Sequence, residues 1–312
     1  MASERGLLGL VDTLLSSPRK FDVNSSCLKS YTAVIGAHEN GHQDIVKLLL
    51  KHSKCNAGKQ LIHAAARGHY DLVKTLLARS DCDVNVRDNK LGTALVAASV
   101  NKHRDICSLL FNDERIEFGT QIVVSAAFGQ LQLVLDILRQ KEVDVNTRYQ
   151  KDTALIKASE KGHLHVVDAL LTERGIDVNV RDLNSDTALS LASNNGHHTV
   201  VESLIAHTDT DINIKDCDSD TALMKASRNG HTEVVKLLLR QTNLDVNVQN
   251  NKLQSALILA TRWECEGVVR LLVNDHRCDI NLKNEDGKTA LMIANQRNYS
   301  AIAQLITGCS MR

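Results

Sequence analysis

Residues 221–239 read Thr-Ala-Leu-Met-Lys-Ala-Ser-Arg-Asn-Gly-His-Thr-Glu-Val-Val-Lys-Leu-Leu-Leu, and Leu-Asp-Val-Asn-Val follows at 244–248. The opening Thr221-Ala-Leu-Met-Lys-Ala-Ser reads as the start of a short helix capped by the Thr221 hydroxyl. Its alanines leave room for a neighbouring helix to approach closely. Gly230 ends that helix, because the residue past a helix end often needs φ > 0 and glycine takes it without steric cost. Val234, Val235, Leu237, Leu238 and Leu239 then lay a broad apolar stripe along a second helix. Asp245-Val-Asn-Val is a short extended segment between turn-forming residues, with the asparagine side chain stabilising its own turn.

The same unit recurs in both directions. Thr-Ala-Leu starts at Thr93, Thr153, Thr187, Thr221 and Thr289, with near-copies at Thr32 (Thr-Ala-Val) and Ser255 (Ser-Ala-Leu). From Thr153 to Thr289 the starts lie 34 residues apart. A fixed period of this size means one small supersecondary unit stacked many times. One such unit cannot bury both helix faces alone, so stacking must do it.

Gly-His recurs at 41–42, 68–69, 162–163, 196–197 and 230–231, and Asp-(Val/Ile)-Asn starts at 22, 83, 144, 177, 211, 245 and 279. These motifs, repeating in register over essentially the whole chain, resemble the ankyrin repeat. Here alanine stands where that family has proline, and its following histidine is lost. The resemblance implies an all-α solenoid of helix-turn-helix units with short hairpin fingers. Aligning on the glycine gives nine units, starting at 32, 59, 93, 120, 153, 187, 221, 255 and 289. The expected organisation is a single domain over 1–312: a capping half-repeat at 1–24, repeats over 25–288 and a C-terminal capping repeat at 289–312.

Two intervals break the period. Thr32 to Lys59 and Thr93 to Thr120 are each 27 residues and lack the Asp-Val-Asn segment. The fingers before Lys59 and Thr120 are therefore expected to be cut back to tight loops, opening a notch along the finger edge, unless these are simply divergent repeats. Glu264-Cys265 replaces Gly-His in the unit starting at Ser255, so that turn is expected to be strained or reshaped beside Trp263, the only tryptophan.

Lys plus Arg and Asp plus Glu both number 37, so the formal charge is zero. That balance argues against a dedicated nucleic-acid or membrane-surface binder, which carries a basic excess. The eight cysteines form no Cys-x-x-Cys pair and no zinc-ligand cluster. They read as free thiols in a reducing compartment, and no run approaches the length that spans a bilayer. The expectation is a monomer in the cytoplasm or nucleus, inserting in no membrane and using no cofactor. The repeated histidines form a row, one per unit, and read as helix-turn residues, not as a catalytic cluster. No nucleophile elbow, phosphate loop or dinucleotide fingerprint occurs, so no enzyme signature is present.

The resemblance implies partner contacts on a concave face, at the finger tips and the ends of the inner helices. Transferred onto this chain, it selects Tyr149, Asp152, Lys161, Asp186, Asn195, Asp220, Arg228, Lys252, Arg262, Trp263 and Arg297 as partner-binding candidates. Trp263 beside Arg262 stands out, because interface hot spots are rich in Trp, Tyr and Arg. Asp152, Asp186 and Asp220 form an acidic row, and Arg228, Arg262 and Arg297 a basic ladder. Mixed charge fits a protein or peptide partner better than a phosphate backbone. The function implied is a non-enzymatic interaction scaffold or adaptor. The alternatives are a stoichiometric inhibitor or regulator of one partner enzyme or transcription factor, or an effector that targets a host protein.

Overall fold

The structure is a computed structural model and describes residues 2–16, 22–25, 31–140 and 142–309. Pro18 and Cys27 lie outside the described residues. Contacts gather the chain into two compact units, Met1–Lys141 and Glu142–Arg312. Among the described residues every regular element is helical, nineteen helices in all.

The first unit holds α1 (Leu8–Ser16) and four helix pairs: α2 (Ala33–Glu39) with α3 (Gln43–Lys51), α4 (Ala57–Arg67) with α5 (Tyr70–Leu77), α6 (Ala94–Val100) with α7 (Arg104–Phe111), and α8 (Phe118–Ala127) with α9 (Leu131–Gln140). The second unit holds five: α10 (Ala154–Lys161) with α11 (Leu164–Leu171), α12 (Ala188–Asn194) with α13 (His198–Ala206), α14 (Ala222–Arg228) with α15 (Thr232–Leu239), α16 (Ala256–Arg262) with α17 (Glu266–Asn274), and α18 (Ala290–Gln296) with α19 (Ser300–Cys309). These nine pairs are the nine expected repeats.

The capping chemistry follows the sequence. The hydroxyls of Thr32, Thr93, Thr153, Thr187, Thr221, Ser255 and Thr289 each accept an N–H from the first turn of the helix they precede. Val234, Val235 and Leu238 of the specimen stripe are buried, as are the equivalent Val200, Val201 and Leu204 one repeat earlier. In the two repeats that follow the 27-residue intervals the first helix begins a turn earlier than expected. α4 is capped by Asn56, whose Oδ1 accepts from Lys59 N–H at 2.9 Å, and α8 starts after Glu117. The residues that would form a finger have become an extra turn of helix.

The turn joining the two helices of a repeat has left-handed backbone at Gly68, Gly162, Gly196 and Gly230. Lys102, Glu264 and Asn298 hold the same place with φ of 64°, 57° and 60°. The turn at Glu264 is therefore kept and strained, not reshaped.

Six of the seven Asp-(Val/Ile)-Asn asparagines use their side chains between repeats. Asn213 Nδ2 donates to the Asn243 carbonyl at 2.8 Å, and its Oδ1 accepts from Asp245 N–H at 2.9 Å. Asn24, Asn85, Asn146, Asn179 and Asn247 form the same two-bond bracket to the next repeat. The turn itself is closed by the aspartate, as where Asp211 Oδ1 accepts from Asn213 N–H at 2.9 Å.

Candidate partner-binding surface

In the second unit the chain before each first helix folds into a finger. Asp182, Asp216, Asn250 and Asn284 each accept, through one side-chain oxygen, the N–H groups two and four residues on. This sets the finger tip, and φ turns positive at Ser185, Ser219, Leu253 and Gly287. Successive tips are tied by single backbone hydrogen bonds: Cys217 N–H to Asn184 O, Asn251 N–H to Asp218 O and Glu285 N–H to Lys252 O, at 3.0 to 3.2 Å.

The acidic row is consumed internally. Asp186 and Asp220 are buried, and Asp152 is half-buried. Asp186 Oδ1 lies 2.5 Å from Lys225 Nζ and also accepts from Ser190 Oγ at 2.6 Å, while Asp216 Oδ2 lies 2.7 Å from the same ammonium. Burial by itself would lower the Lys225 pKa. The hydrogen bonds and charges of Asp186 and Asp216 outweigh it and hold the ammonium above the ordinary lysine range. Asp220 pairs with Arg228 and accepts from Asn250 Nδ2 at 2.7 Å. Asp152 pairs with Lys157 at 2.8 Å, and Glu160 bridges Lys157 and Lys161. Asp186 and Asp220 thus stitch fingers to helices and present no carboxylate to a partner.

Sequence reading missed this buried Asp186–Lys225–Asp216 triad. The signal was present: Lys225 stands in a column that holds Leu191, Leu259 and Ile293 in neighbouring repeats.

The ends of the first helices also reach backward. Asn195 Nδ2 donates to the Glu160 carbonyl, Asn229 Nδ2 to the Asn194 carbonyl and Arg297 to the Arg262 carbonyl, at 2.8 to 2.9 Å. Trp263 occupies the equivalent place but makes no such bond and is 60% exposed. The nearby Arg228 carbonyl is approached instead by Cys265 Sγ at 3.7 Å. Arg262 and Lys252 are exposed and pair with no carboxylate among the described residues.

Asp220, Arg228, Lys252, Arg262 and Trp263 come together around one shallow recess of about 250 Å³, floored by Leu259. Arg297 adjoins it through the Arg262 carbonyl. Tyr149, Asp152, Lys161, Asp186 and Asn195 sit in earlier repeats and line none of it. Tyr149 and Asp152 close their own finger by exchanging backbone hydrogen bonds at 2.9 and 3.1 Å. The basic ladder is divided in function: Arg228 turns in to Asp220, Arg297 clasps the preceding helix, and Arg262 alone keeps its guanidinium for solvent.

Side chains of the histidine row, expected to serve their own turn, reach instead to the preceding repeat, as His69 Nε2 does to Glu39 Oε1 at 2.9 Å. Nε2 of His42, His103, His197 and His231 lies 2.9 to 3.3 Å from a carbonyl in the preceding turn. Among the described residues no three His, Cys, Asp or Glu side chains group as a metal site, and no helix is long and apolar enough to cross a membrane.

Comparison with known proteins agrees with this architecture. The family model described as ankyrin repeats (3 copies) matches residues 1–88, 61–182, 122–216, 181–250 and 242–311. Among solved structures, the ankyrin repeat protein EF0377 is 27% identical over 62% of this chain and 98% of its own, with a TM-score of 0.57. An ankyrin repeat domain from Acinetobacter baumannii AYE is 28% identical over 61% of this chain and 97% of its own, with a TM-score of 0.56. With the family model matching along nearly its full length, and with capped helix pairs, fingers and glycine turns in register, the chain belongs to the ankyrin-repeat family.

Proposed function

We propose that the chain is a non-enzymatic scaffold or adaptor that holds a protein or peptide segment across the fingers and first-helix ends of residues 142–309. Ankyrin-repeat domains are in general protein-interaction modules. The observation that carries the specific reading is Trp263, the chain's single tryptophan, left 60% exposed at a position that elsewhere clasps the preceding repeat. An exposed indole beside a shallow recess, flanked by the unpaired cations Arg262 and Lys252, has the composition of an interface anchor. The remaining contacts supply register more than affinity.

The test is a quantitative pull-down with wild type and the Arg262→Glu/Trp263→Ala double variant as baits. Both side chains are exposed, so helical content and melting should match wild type. A discrete set of proteins lost with the variant supports the reading; identical captured sets reject it.

A further inference from the structure

In the first unit, the second helices α5 and α7 pack side by side, as do α11 with α13, α13 with α15, α15 with α17 and α17 with α19 in the second. Across the 27-residue intervals the approach is less close, between α3 and α5 and between α7 and α9. The opening at the second short link is therefore between α7 and α9, a groove of about 840 Å³ whose floor reaches Leu95 and Ser99 of α6. Ligand-binding clefts span roughly 300–1,000 Å³.

The α7 wall is built to be covered by a helix. Arg104, Cys107, Ser108 and Phe111 follow the spacing of one helix face and all line the groove. At the position of Cys107, six of the other eight repeats carry Val73, Val134, Val167, Val201, Val235 and Val269, each with no exposed surface, and the remaining two carry Val46 and a half-buried Ala303. Cys107 is half-buried. Leu133 supplies apolar surface from the α9 side.

The charges are arranged along the groove. Lys102 and Arg104 stand at the end where α7 begins, exposed and paired with no carboxylate among the described residues. Asp136 lies on the α9 wall. There it accepts from Gln132 Nε2 at 2.9 Å. The groove therefore offers an occupant two cations, apolar surface and one carboxylate.

We propose that this groove docks a partner protein's amphipathic helix, with a carboxylate set against Lys102 and Arg104 and apolar side chains laid along Cys107, Phe111 and Leu133. The occupant lays its apolar face into the groove as an amphipathic helix does. This surface is separate from the Trp263 recess, and neither depends on the other.

The probes are three synthetic labelled peptides, each about three helical turns long. One carries a glutamate pair ahead of an apolar stripe, one has lysines in place of the glutamates, and one is a scrambled sequence. Binding to the full chain is followed by fluorescence polarisation and by alkylation of Cys107. The glutamate peptide should bind roughly three- to tenfold tighter than the lysine peptide, the scale set by one or two exposed charge pairs. It should also slow Cys107 alkylation. Lys102→Glu/Arg104→Glu should invert the order of the first two peptides, and Cys107→Trp, which fills the groove, should weaken both. Arg262→Glu/Trp263→Ala should change nothing. Equal affinity for all three peptides, indifference to both groove variants, or self-association of the chain that protects Cys107 overturns the proposal.

Discussion

The imidazole of His231 occupies the space that a side chain on Gly196 would need: a Cβ there would lie 2.7 Å from His231 Nδ1. The same relation joins Gly68 to His103 and Gly162 to His197. Two of the turns that lack glycine face something other than histidine in the next repeat, whereas Gly230 faces Cys265 and Gly41 faces open space. Lys102 is followed by Gln130 at the histidine position, and Glu264 by Tyr299. At Gly68, Gly162 and Gly196 the glycine is thus a contact between repeats as much as a turn within one.

Gly196→Ala should lower stability by about 2–3 kcal/mol, from left-handed strain on a residue with Cβ and from displacing the hydrogen bond of His231 to the Asn194 carbonyl. Glu264→Gly should be near neutral, because relief of strain is offset by the greater chain entropy of glycine in the unfolded state. Denaturant midpoints by circular dichroism compare the two. A loss at Glu264→Gly as large as that at Gly196→Ala would remove the steric argument.

The asparagine bracket makes a second comparison. Asn213→Ala deletes two bonds to the next repeat and should cost about 1–3 kcal/mol. Asn281 occupies the same place in its motif, yet its side chain makes no such bracket among the described residues. Asn281→Ala should leave the unfolding midpoint unchanged, and equal costs at the two sites would assign the asparagine to its own turn alone.

The reach of sequence reading follows from which forces are periodic. Caps, glycine turns and apolar stripes are local and repeat in register, so Thr221, Gly230 and Val234 disclosed their roles directly. The backward bonds from Asn195 and Arg297, the burial of Asp186 and the groove at α7 and α9 depend on how one repeat sits on the next. Asp186 and Asp220 read as surface charges because finger residues are usually exposed; only their partners Lys225 and Arg228, brought across from neighbouring elements, reveal the burial. The shortened links were plain from spacing. That the missing finger becomes an extra helical turn from Asn56 or Glu117 depends on packing that spacing does not disclose.

His63 and His69 give the first unit a pH dependence with a defined sign. Burial pushes both below the ordinary histidine value; at His69 it outweighs the pull of Glu39, whose carboxylate lies 2.9 Å away. The unfolded chain therefore binds more protons than the folded one in this window. Their contribution is intact above the unfolded value of about 6.5 and is lost as pH falls through the lowered folded values. Thermal melting should weaken on acidification from neutrality, and His63→Gln/His69→Gln should flatten that slope. An unchanged slope would mean that other groups carry it.

The Lys225 triad has the opposite sense. Its three side chains are only 10%, 7% and 6% exposed, so removing the ammonium would strand two carboxylates away from water. Lys225→Met should therefore cost about 3–5 kcal/mol, the scale for breaking a buried pair from one side. Replacing all three groups, Asp186→Asn, Asp216→Asn and Lys225→Met, should recover much of that loss, since no charge is then left unpaired. The raised Lys225 pKa fixes the pH window: its stabilisation is fully present below the unfolded value of about 10.4 and is lost as pH rises through the folded one. The stability gap between wild type and Lys225→Met should hold steady through neutral pH and close only under strong alkali. A gap that closed near neutrality would contradict an ammonium held charged by Asp186 and Asp216.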